Sequence, residues 1–279
     1  MPRRSVLFSP GDQPELMHKA PSTDADVVVF DLEDAVAPAA TADARDSVRT
    51  VLTDEGFAPE AEVVVRLAEP ATDLEALFAG AEPTLDAVMV PKVAGADEAA
   101  AVAEQCGEYD PTLDVFALVE SAAGVLAVPD VAAVEGVSAL VFGAEDYAAD
   151  VGATRTDDGD EVLYARERVV AAAAAHGVDA VDTLVTDFED RSKLQTDAQL
   201  AVQLGYDGKL AVHPGQVPVI NDAFTPTEAE IEWAETVLAA REDADGAVFE
   251  VDGEMIDAPL LAQAERILDR ADRSVEGQE

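Results

Sequence analysis

The fold is first indicated by DVVVFDLEDAV, residues 26–36, in which an apolar run ends abruptly in acidic residues. Val27–Phe30 are β-branched or aromatic, which is typical of a buried strand. Asp31, Glu33 and Asp34 follow within four positions. Crowded carboxylates cost electrostatic free energy unless a positive group or a proton lies nearby. We therefore expect a strand whose carboxyl end faces a cation or a catalytic centre. The simpler alternative is an acidic protein that ends its strands in acids.

Further runs of this kind recur along the chain and predict the fold class. Strand-like segments begin near residues 5, 26, 62, 87, 114, 139, 180 and 209, with helix-compatible segments between them. Most are apolar without strict alternation, as expected of parallel strands covered on both faces. Eight such units favour a (β/α)8 TIM barrel over residues 1–225, followed by a C-terminal helical extension or lid over residues 226–279. A doubly wound sheet is the alternative, but no G-x-G-x-x-G follows the first strand.

The chain is strongly acidic, with 59 Asp and Glu against 17 Lys and Arg and a formal net charge of −42 over 279 residues. Because 49% of the residues are hydrophobic and fall in periodic runs, we expect a packed core and assign most of the acid to solvated surface. Such a surface suits a cytoplasmic protein of a salt-loving organism, where salt screens self-repulsion. The charge argues against nucleic acids and anionic membranes as partners.

In a (β/α)8 barrel, catalytic residues are expected at the carboxyl ends of the strands. Nearly every predicted strand ends in an ionisable residue or a tight turn, and a rare lysine and a rare histidine are among them. Random surface acidity does not favour this edge, so we favour a functional site there. In strand order, the residues are Pro10 and Gly11; Asp31, Glu33 and Asp34; Arg66; Pro91 and Lys92; Glu120 and Ser121; Glu145 and Asp146; Asp182 and Asp187; His213 and Pro214.

Several carboxylates at one barrel mouth suit a hard divalent cation, with Mg²⁺ expected and Mn²⁺ as the alternative. Glu120 and Asp146 are the best candidate ligands, because they close apolar strands that are adjacent in the barrel order. Zinc is disfavoured, since Cys106 is the only cysteine and the three histidines are far apart. Such a metal could chelate a 2-oxo or 2-hydroxy acid. Arg66 could hold a carboxylate or an enolate oxygen, or form a structural ion pair with the second-strand acids.

Seven segments, in order, resemble the citrate lyase beta-subunit-like family, which includes malyl-CoA, citramalyl-CoA and citryl-CoA lyases and related thioesterases. The resemblance covers almost the whole chain. It implies a TIM barrel whose carboxyl-terminal segment reaches a neighbouring subunit in a homotrimer or homohexamer. The segments are RSVLFSPG (4–11), ADVVVFDLEDAV (25–36), VPKV (90–93), LVES (118–121), VFGAEDY (141–147), GYDGKLAVHPGQV (205–217) and DGEMIDAPLLAQA (252–264).

The resemblance implies roles for single residues. Glu120 and Asp146 match magnesium ligands, and Arg66 matches an arginine that stabilises an enolate or a substrate carboxylate. Asp257 matches a catalytic acid or base, although by position alone it is a helix-start carboxylate before Pro259. Asp31, Glu33 and Asp34 match residues that surround the metal through water and side-chain contacts, with Asp31 and Asp34 as catalytic residues and Glu33 as a substrate-binding residue. A region that meets coenzyme A is matched by Arg4, Pro10, Gly11, Lys19 and, less closely, Lys92.

The activity that the resemblance implies is a reversible, Mg²⁺-dependent cleavage of a 3-hydroxyacyl-CoA, such as malyl-CoA or citramalyl-CoA. The products would be a 2-oxo acid and acetyl-CoA or propionyl-CoA. A malyl-CoA thioesterase and a citryl-CoA lyase are alternatives within the family. A CoA-independent 2-oxo acid aldolase and a non-catalytic subunit are alternatives from other classes.

Overall fold

The computed structural model describes residues 2–242, 244 and 246–276, and it contains a closed barrel of eight strands. Each strand pairs in parallel with the next, and the eighth pairs with the first. The closure confirms the TIM-barrel prediction and excludes the open doubly wound sheet. The strands β1–β8 are Ser5–Pro10, Val27–Asp31, Glu62–Arg66, Ala87–Val90, Asp114–Val119, Val137–Phe142, Asp179–Asp182 and Gly208–Ala211.

Local sequence features explain where helices of the barrel begin and end. The helix after the fifth strand begins at Ser121, whose Oγ accepts a hydrogen bond from the amide of Gly124 at 3.1 Å. The alanine-rich helix ends at Gly177, which adopts the left-handed conformation that favours glycine. Helices α1–α9 are Pro14–Lys19, Thr41–Leu52, Pro70–Leu77, Ala96–Tyr109, Ala122–Ala132, Ala144–Asp150, Asp160–His176, Arg191–Leu204 and Val217–Phe224.

The alternation of side chains along the strands positions the site. The barrel interior is an apolar layer that includes Val29, Val64, Leu118, Val141 and Val181. Successive side chains of a strand point to opposite faces, so the residue two positions beyond each of these also faces the barrel axis, at the carboxyl end. These next residues are Asp31, Arg66, Glu120, Gly143 and Thr183.

A second compact unit begins at Asp222, whereas residues Arg3–Asn221 form the barrel unit. Beyond α9, the second unit contains α10 (Glu228–Glu242), the antiparallel strands β9 (Phe249–Val251) and β10 (Glu254–Ile256), and α11 (Ala258–Glu276). Its own apolar cluster includes Val237, Val251 and Ile256. The turn of this hairpin lies at Asp252 and Gly253, and α11 follows it. None of the described helices combines the length and the apolar character needed to cross a membrane.

Candidate active site

A buried pair of opposite charges forms the first part of the barrel mouth. Asp31 and Arg66 are in register as the last residues of β2 and β3. Asp31 accepts two hydrogen bonds of 2.6 Å from Nε and Nη2 of Arg66, and both residues are buried. Burial alone would lower the pKa of Arg66, but the hydrogen bonds and charge of Asp31, with the charges of Glu33 and Asp34, outweigh it and raise that pKa. The guanidinium therefore stays charged and is held in one orientation.

The other second-strand acids complete the surroundings of Arg66. Its Nη1 lies 3.2 Å from Oε2 of Glu33 and 3.3 Å from Oδ2 of Asp34. Oε2 of Glu33 is buried and makes no hydrogen bond, so its contact with Arg66 is an ion pair without hydrogen-bond geometry. The other oxygen of Glu33 accepts a 2.6 Å bond from Nζ of Lys92. The acids of DVVVFDLEDAV are thus offset by two cations, as the sequence suggested.

The surroundings of Glu120 do not balance the negative charge of its ionised form. It follows β5, is only 5% exposed, and its Oε1 accepts a 2.9 Å hydrogen bond from the amide of Lys92. Burial, the largest cause, and the charges of Asp146 and Glu33 together raise the pKa of Glu120 to about 8. The hydrogen bond from the Lys92 amide and the charge of Arg66 act in the opposite direction. A buried carboxyl in this condition is stabilised by a proton or by an added cation.

Gly143 and Asp146 come from the neighbouring strand and the helix that follows it. A Cβ on Gly143 would lie 2.6 Å from Oε2 and 2.7 Å from Cβ of Glu120, so only glycine admits Glu120 at this place. Asp146 lies in the first turn of α6, exposed to solvent, and its charge acts on Glu120. The turn before α6 is fixed by Thr183, whose hydroxyl accepts a 3.0 Å bond from the amide of Ala144.

This donor set fits a divalent cation with oxygen ligands. Glu120 supplies a buried carboxyl whose ionised form lacks a balancing charge, and Asp146 supplies a second carboxyl whose charge acts on Glu120. The part of the chain that the structure describes has no group of three or more His, Cys, Asp or Glu side chains arranged to bind a metal. Two carboxylates with the remaining positions left to water and substrate is the arrangement that Mg²⁺ commonly uses.

Comparison with known proteins gives the family. A model of the HpcH/HpaI aldolase/citrate lyase family matches residues 4–214. The chain belongs to the HpcH/HpaI aldolase/citrate lyase family. A model described as a carbon–carbon bond lyase of the TIM-barrel fold also matches residues 161–273. The expected enzyme class, a carbon–carbon lyase, is thereby confirmed.

Individual relatives extend the match over almost the whole of this family member. It is 40% identical to the citrate lyase subunit beta-like protein of Deinococcus radiodurans, over 95% of this chain and 96% of that one. It is 34% identical to the mitochondrial citramalyl-CoA lyase of Mus musculus, over 96% and 86%. The crystal structure of CitE from Mycobacterium tuberculosis with magnesium, acetoacetate and coenzyme A superposes with a TM-score of 0.80, at 37% identity, over 97% and 98%.

The residues that were expected to meet coenzyme A are spread over the barrel of this family member. Pro10 ends β1 at the mouth, and the amide of Gly11 donates a 2.9 Å bond to the carbonyl of Asp31. Lys19 is exposed at the end of α1. Arg4 lies before β1, at the amino-terminal end of the barrel, where its guanidinium binds Asp26 at 2.8 Å. Arg4 thus lies at the opposite end of β1 from Pro10, and its contact with coenzyme A stays a prediction.

Three other strand-end residues have local structural roles. His213 accepts a 3.0 Å bond from the amide of Gly215, in a short 3-10 helix. Asp187 accepts hydrogen bonds from the amides of Glu189 and Asp190 at 3.1 and 3.3 Å. Glu145 pairs with Arg155 at 2.9 Å. These contacts explain the residues without recourse to chemistry at the mouth.

Asp182 does not reach the mouth either. It follows the inward-facing Val181, so its side chain points away from the barrel axis, towards the helices. There it is fully buried and pairs with Arg166 at 2.6 Å and with Lys209 at 2.7 Å. The sequence reasoning missed this ion network. The signal that was present is the parity of the strand, which makes Thr183 rather than Asp182 the residue that faces the mouth.

Asp257 lies in the carboxyl-terminal unit, at the start of α11. Its side chain accepts a long hydrogen bond of 3.4 Å from the amide of Leu260, and its carbonyl accepts one of 3.0 Å from the amide of Leu261. This is the helix-start position that the sequence indicates. A catalytic role for Asp257 in this family member stays a prediction.

Proposed function

We propose that the protein is a Mg²⁺-dependent lyase that cleaves a 3-hydroxyacyl-CoA into a 2-oxo acid and acetyl-CoA or propionyl-CoA. The observation that carries the proposal is Glu120, a buried carboxyl whose pKa is raised to about 8 beside Asp146 and Arg66 at the barrel mouth. Family membership supports the reaction class. The magnesium and coenzyme A in the similar CitE structure support the cofactor and the thioester.

Glu120 and Asp146 would hold the cation. Once bound, it would supply Lewis acidity to the carboxylate and hydroxyl of the acyl group. Arg66 is held in place by Asp31 on the neighbouring strand, which accepts two short hydrogen bonds from its guanidinium. Arg66 would therefore meet developing negative charge without reorganising. This preorganisation favours the state in which charge has moved onto the substrate.

The bond changes are those of a retro-aldol cleavage. The hydroxyl of the substrate loses its proton, and its carbon becomes the keto carbon of the 2-oxo acid. The bond between this carbon and the carbon next to the thioester breaks, and the electron pair passes to the thioester side as an enolate. Arg66 would stabilise that enolate. A proton then adds to the carbon. Asp257 is our candidate donor, supplied by a neighbouring subunit of a homotrimer or homohexamer.

Citramalyl-CoA is the first substrate to test, because a relative that matches 96% of the chain is named a citramalyl-CoA lyase. The protein would be incubated with citramalyl-CoA, malyl-CoA and citryl-CoA, with Mg²⁺ and with a chelator. Free CoA, acetyl-CoA and 2-oxo acid would be measured separately. We expect equal amounts of acetyl-CoA and 2-oxo acid, and only with the metal.

The controls separate the alternatives. A thioesterase would instead release free CoA and a hydroxy acid from malyl-CoA. Asp146→Ala is expected to lose turnover, whereas Glu145→Ala, which changes the preceding residue of α6, keeps it. Full turnover in the presence of chelator, or no turnover of any of the three thioesters by the wild type, would contradict the proposal.

A further inference from the structure

Lys92 has an unusual backbone for its residue type. Among the described residues, Asp24, Lys92 and Asp252 are the three other than glycine with positive φ, at 59°, 54° and 50°. Asp24 ends a short 3-10 helix, and Asp252 lies in the turn between β9 and β10, where aspartate is common. Lys92 instead follows β4 at the barrel mouth. A residue with a long side chain stays in this region only when its surroundings hold it there.

Two contacts hold Lys92. Its amide donates to Oε1 of Glu120 at 2.9 Å, and its Nζ donates to Oε1 of Glu33 at 2.6 Å. The same residue thus reaches the candidate metal ligand after β5 through its main chain. It reaches the acids after β2 through its side chain.

The inner face of β4 supplies no ionisable side chain to the barrel mouth, and the contacts of Lys92 connect the charged residues on either side of it. Met89 faces the barrel interior, and the next inward position, Pro91, has no ionisable group. Arg66 lies on one side of β4 and Glu120 on the other, because β4 pairs with β3 and β5. Glu33 connects to Arg66, since its second oxygen lies 3.2 Å from Nη1 of Arg66.

We propose that Lys92 is a positioning residue whose left-handed backbone aims its amide at Glu120 and its ammonium group at Glu33. It thereby fixes the carboxylate ligand relative to the arginine. This role differs from the contact with coenzyme A that the family resemblance implies for Lys92. The turnover and metal-binding measurements below rest on the proposed function, whereas the melting measurements do not.

The two roles predict different kinetics for Lys92→Met, which keeps the length of the side chain and removes its charge. Loss of the ammonium group removes the positive charge that offsets Glu33 beside the candidate metal site. We therefore expect Mg²⁺ to bind about two- to fivefold more tightly. Looser positioning of Glu120 and Glu33 should lower kcat about tenfold, with KM for the thioester changed less than about twofold. A CoA-binding lysine would raise KM and leave kcat and metal affinity as in the wild type.

The backbone is tested by comparing Lys92→Gly with Lys92→Ala. Both lose the ammonium group, and they differ only in a Cβ at a φ of 54°. We expect the glycine variant to melt about 2–4 °C higher than the alanine variant, because glycine adopts this conformation without the steric cost. Equal melting temperatures would overturn the role assigned to the backbone.

Lys193→Ala is the matched control for charge. Lys193 is also partly exposed and pairs with one acid, Asp157, at 2.5 Å, so its loss changes the net charge of this acidic protein by the same amount. The experiment is calorimetric titration of Mg²⁺ into the wild type and the Lys92→Met and Lys193→Ala variants, followed by their kinetics. We expect a changed metal affinity and kcat for Lys92→Met alone. A tenfold higher KM with wild-type kcat and metal affinity, or identical metal affinities in the two variants, would overturn the proposal.

Discussion

The close packing of Gly143 against Glu120 gives the sharpest mutational prediction. Gly143 has a φ of −105°, which any residue adopts, so Gly143→Ala tests steric contact rather than backbone strain. The added Cβ would lie 2.6 Å from Oε2 and 2.7 Å from Cβ of Glu120. Ordinary contact begins at 3.4 Å. The Cβ of Glu120 is fixed by its own main chain, so the end of β5 or the turn before α6 has to move.

The required movement is about 0.7 Å, and it falls on the candidate metal ligand. Overpacking of this kind costs about 1–3 kcal/mol, and each kcal/mol lowers the melting temperature by about 2–4 °C in a domain of this size. A misplacement of about 1 Å in a catalytic group lowers turnover about 100-fold. We therefore expect Gly143→Ala to lose 10- to 100-fold in kcat while it remains folded at 25 °C. Circular dichroism and steady-state kinetics on the same preparation measure both effects.

Gly107→Ala is the control for this substitution. Gly107 lies within α4, and a Cβ there meets no atom within 4 Å. Because alanine is favoured over glycine inside a helix, the variant should gain up to about 1 kcal/mol of stability and keep wild-type turnover. A Gly143→Ala enzyme with wild-type kcat would show that Glu120 tolerates displacement, which would refute the reasoning.

Three further predictions test other parts of the account. Arg66→Lys keeps the charge but loses the planar fork that binds Asp31, so we expect a loss of about 10²-fold in kcat; wild-type rates would leave Arg66 with a structural role only. Mixing inactive Asp257→Ala and Glu120→Ala subunits should restore activity if Asp257 acts on a neighbouring subunit, whereas no recovery despite proven subunit exchange would exclude this. The melting temperature should rise with salt, because screening relieves repulsion in a chain of net charge −42, and a midpoint that is the same in low and molar salt would contradict the halophile prediction.

The barrel could be predicted from the sequence because each of its strands can be recognised from its own residues. Each is a short apolar run, and eight of them at this spacing leave few alternatives to a closed parallel barrel. The acids of Asp31–Asp34 stood out for the same reason, since they end such a run. Glu120 and Arg66 were found by strand position, although their burial and pairing required the structure.

Other features depend on approach between elements that are distant in sequence. The need for glycine at 143 arises from Glu120, which follows the adjacent strand, and Lys92, with its left-handed backbone, meets two partners that follow two other strands. Asp182 was misread because its burial between strand and helices is decided by parity and by the partners Arg166 and Lys209. Asp257 could be selected from so many acids only through the family resemblance.

The binding of Mg²⁺ as a function of pH tests the central claim most directly. The pKa of Glu120 is raised to about 8, so in the metal-free protein this carboxyl holds a proton below that pH, and the cation has to displace it. Calorimetric titration between pH 6 and 9 in buffers of different ionisation enthalpy measures both affinity and proton release. We predict that affinity increases with pH and levels off above about 8, that about one proton is released per cation at pH 6–7, and that Glu120→Gln abolishes both effects. Binding that is independent of pH, or unchanged in Glu120→Gln, would contradict the account.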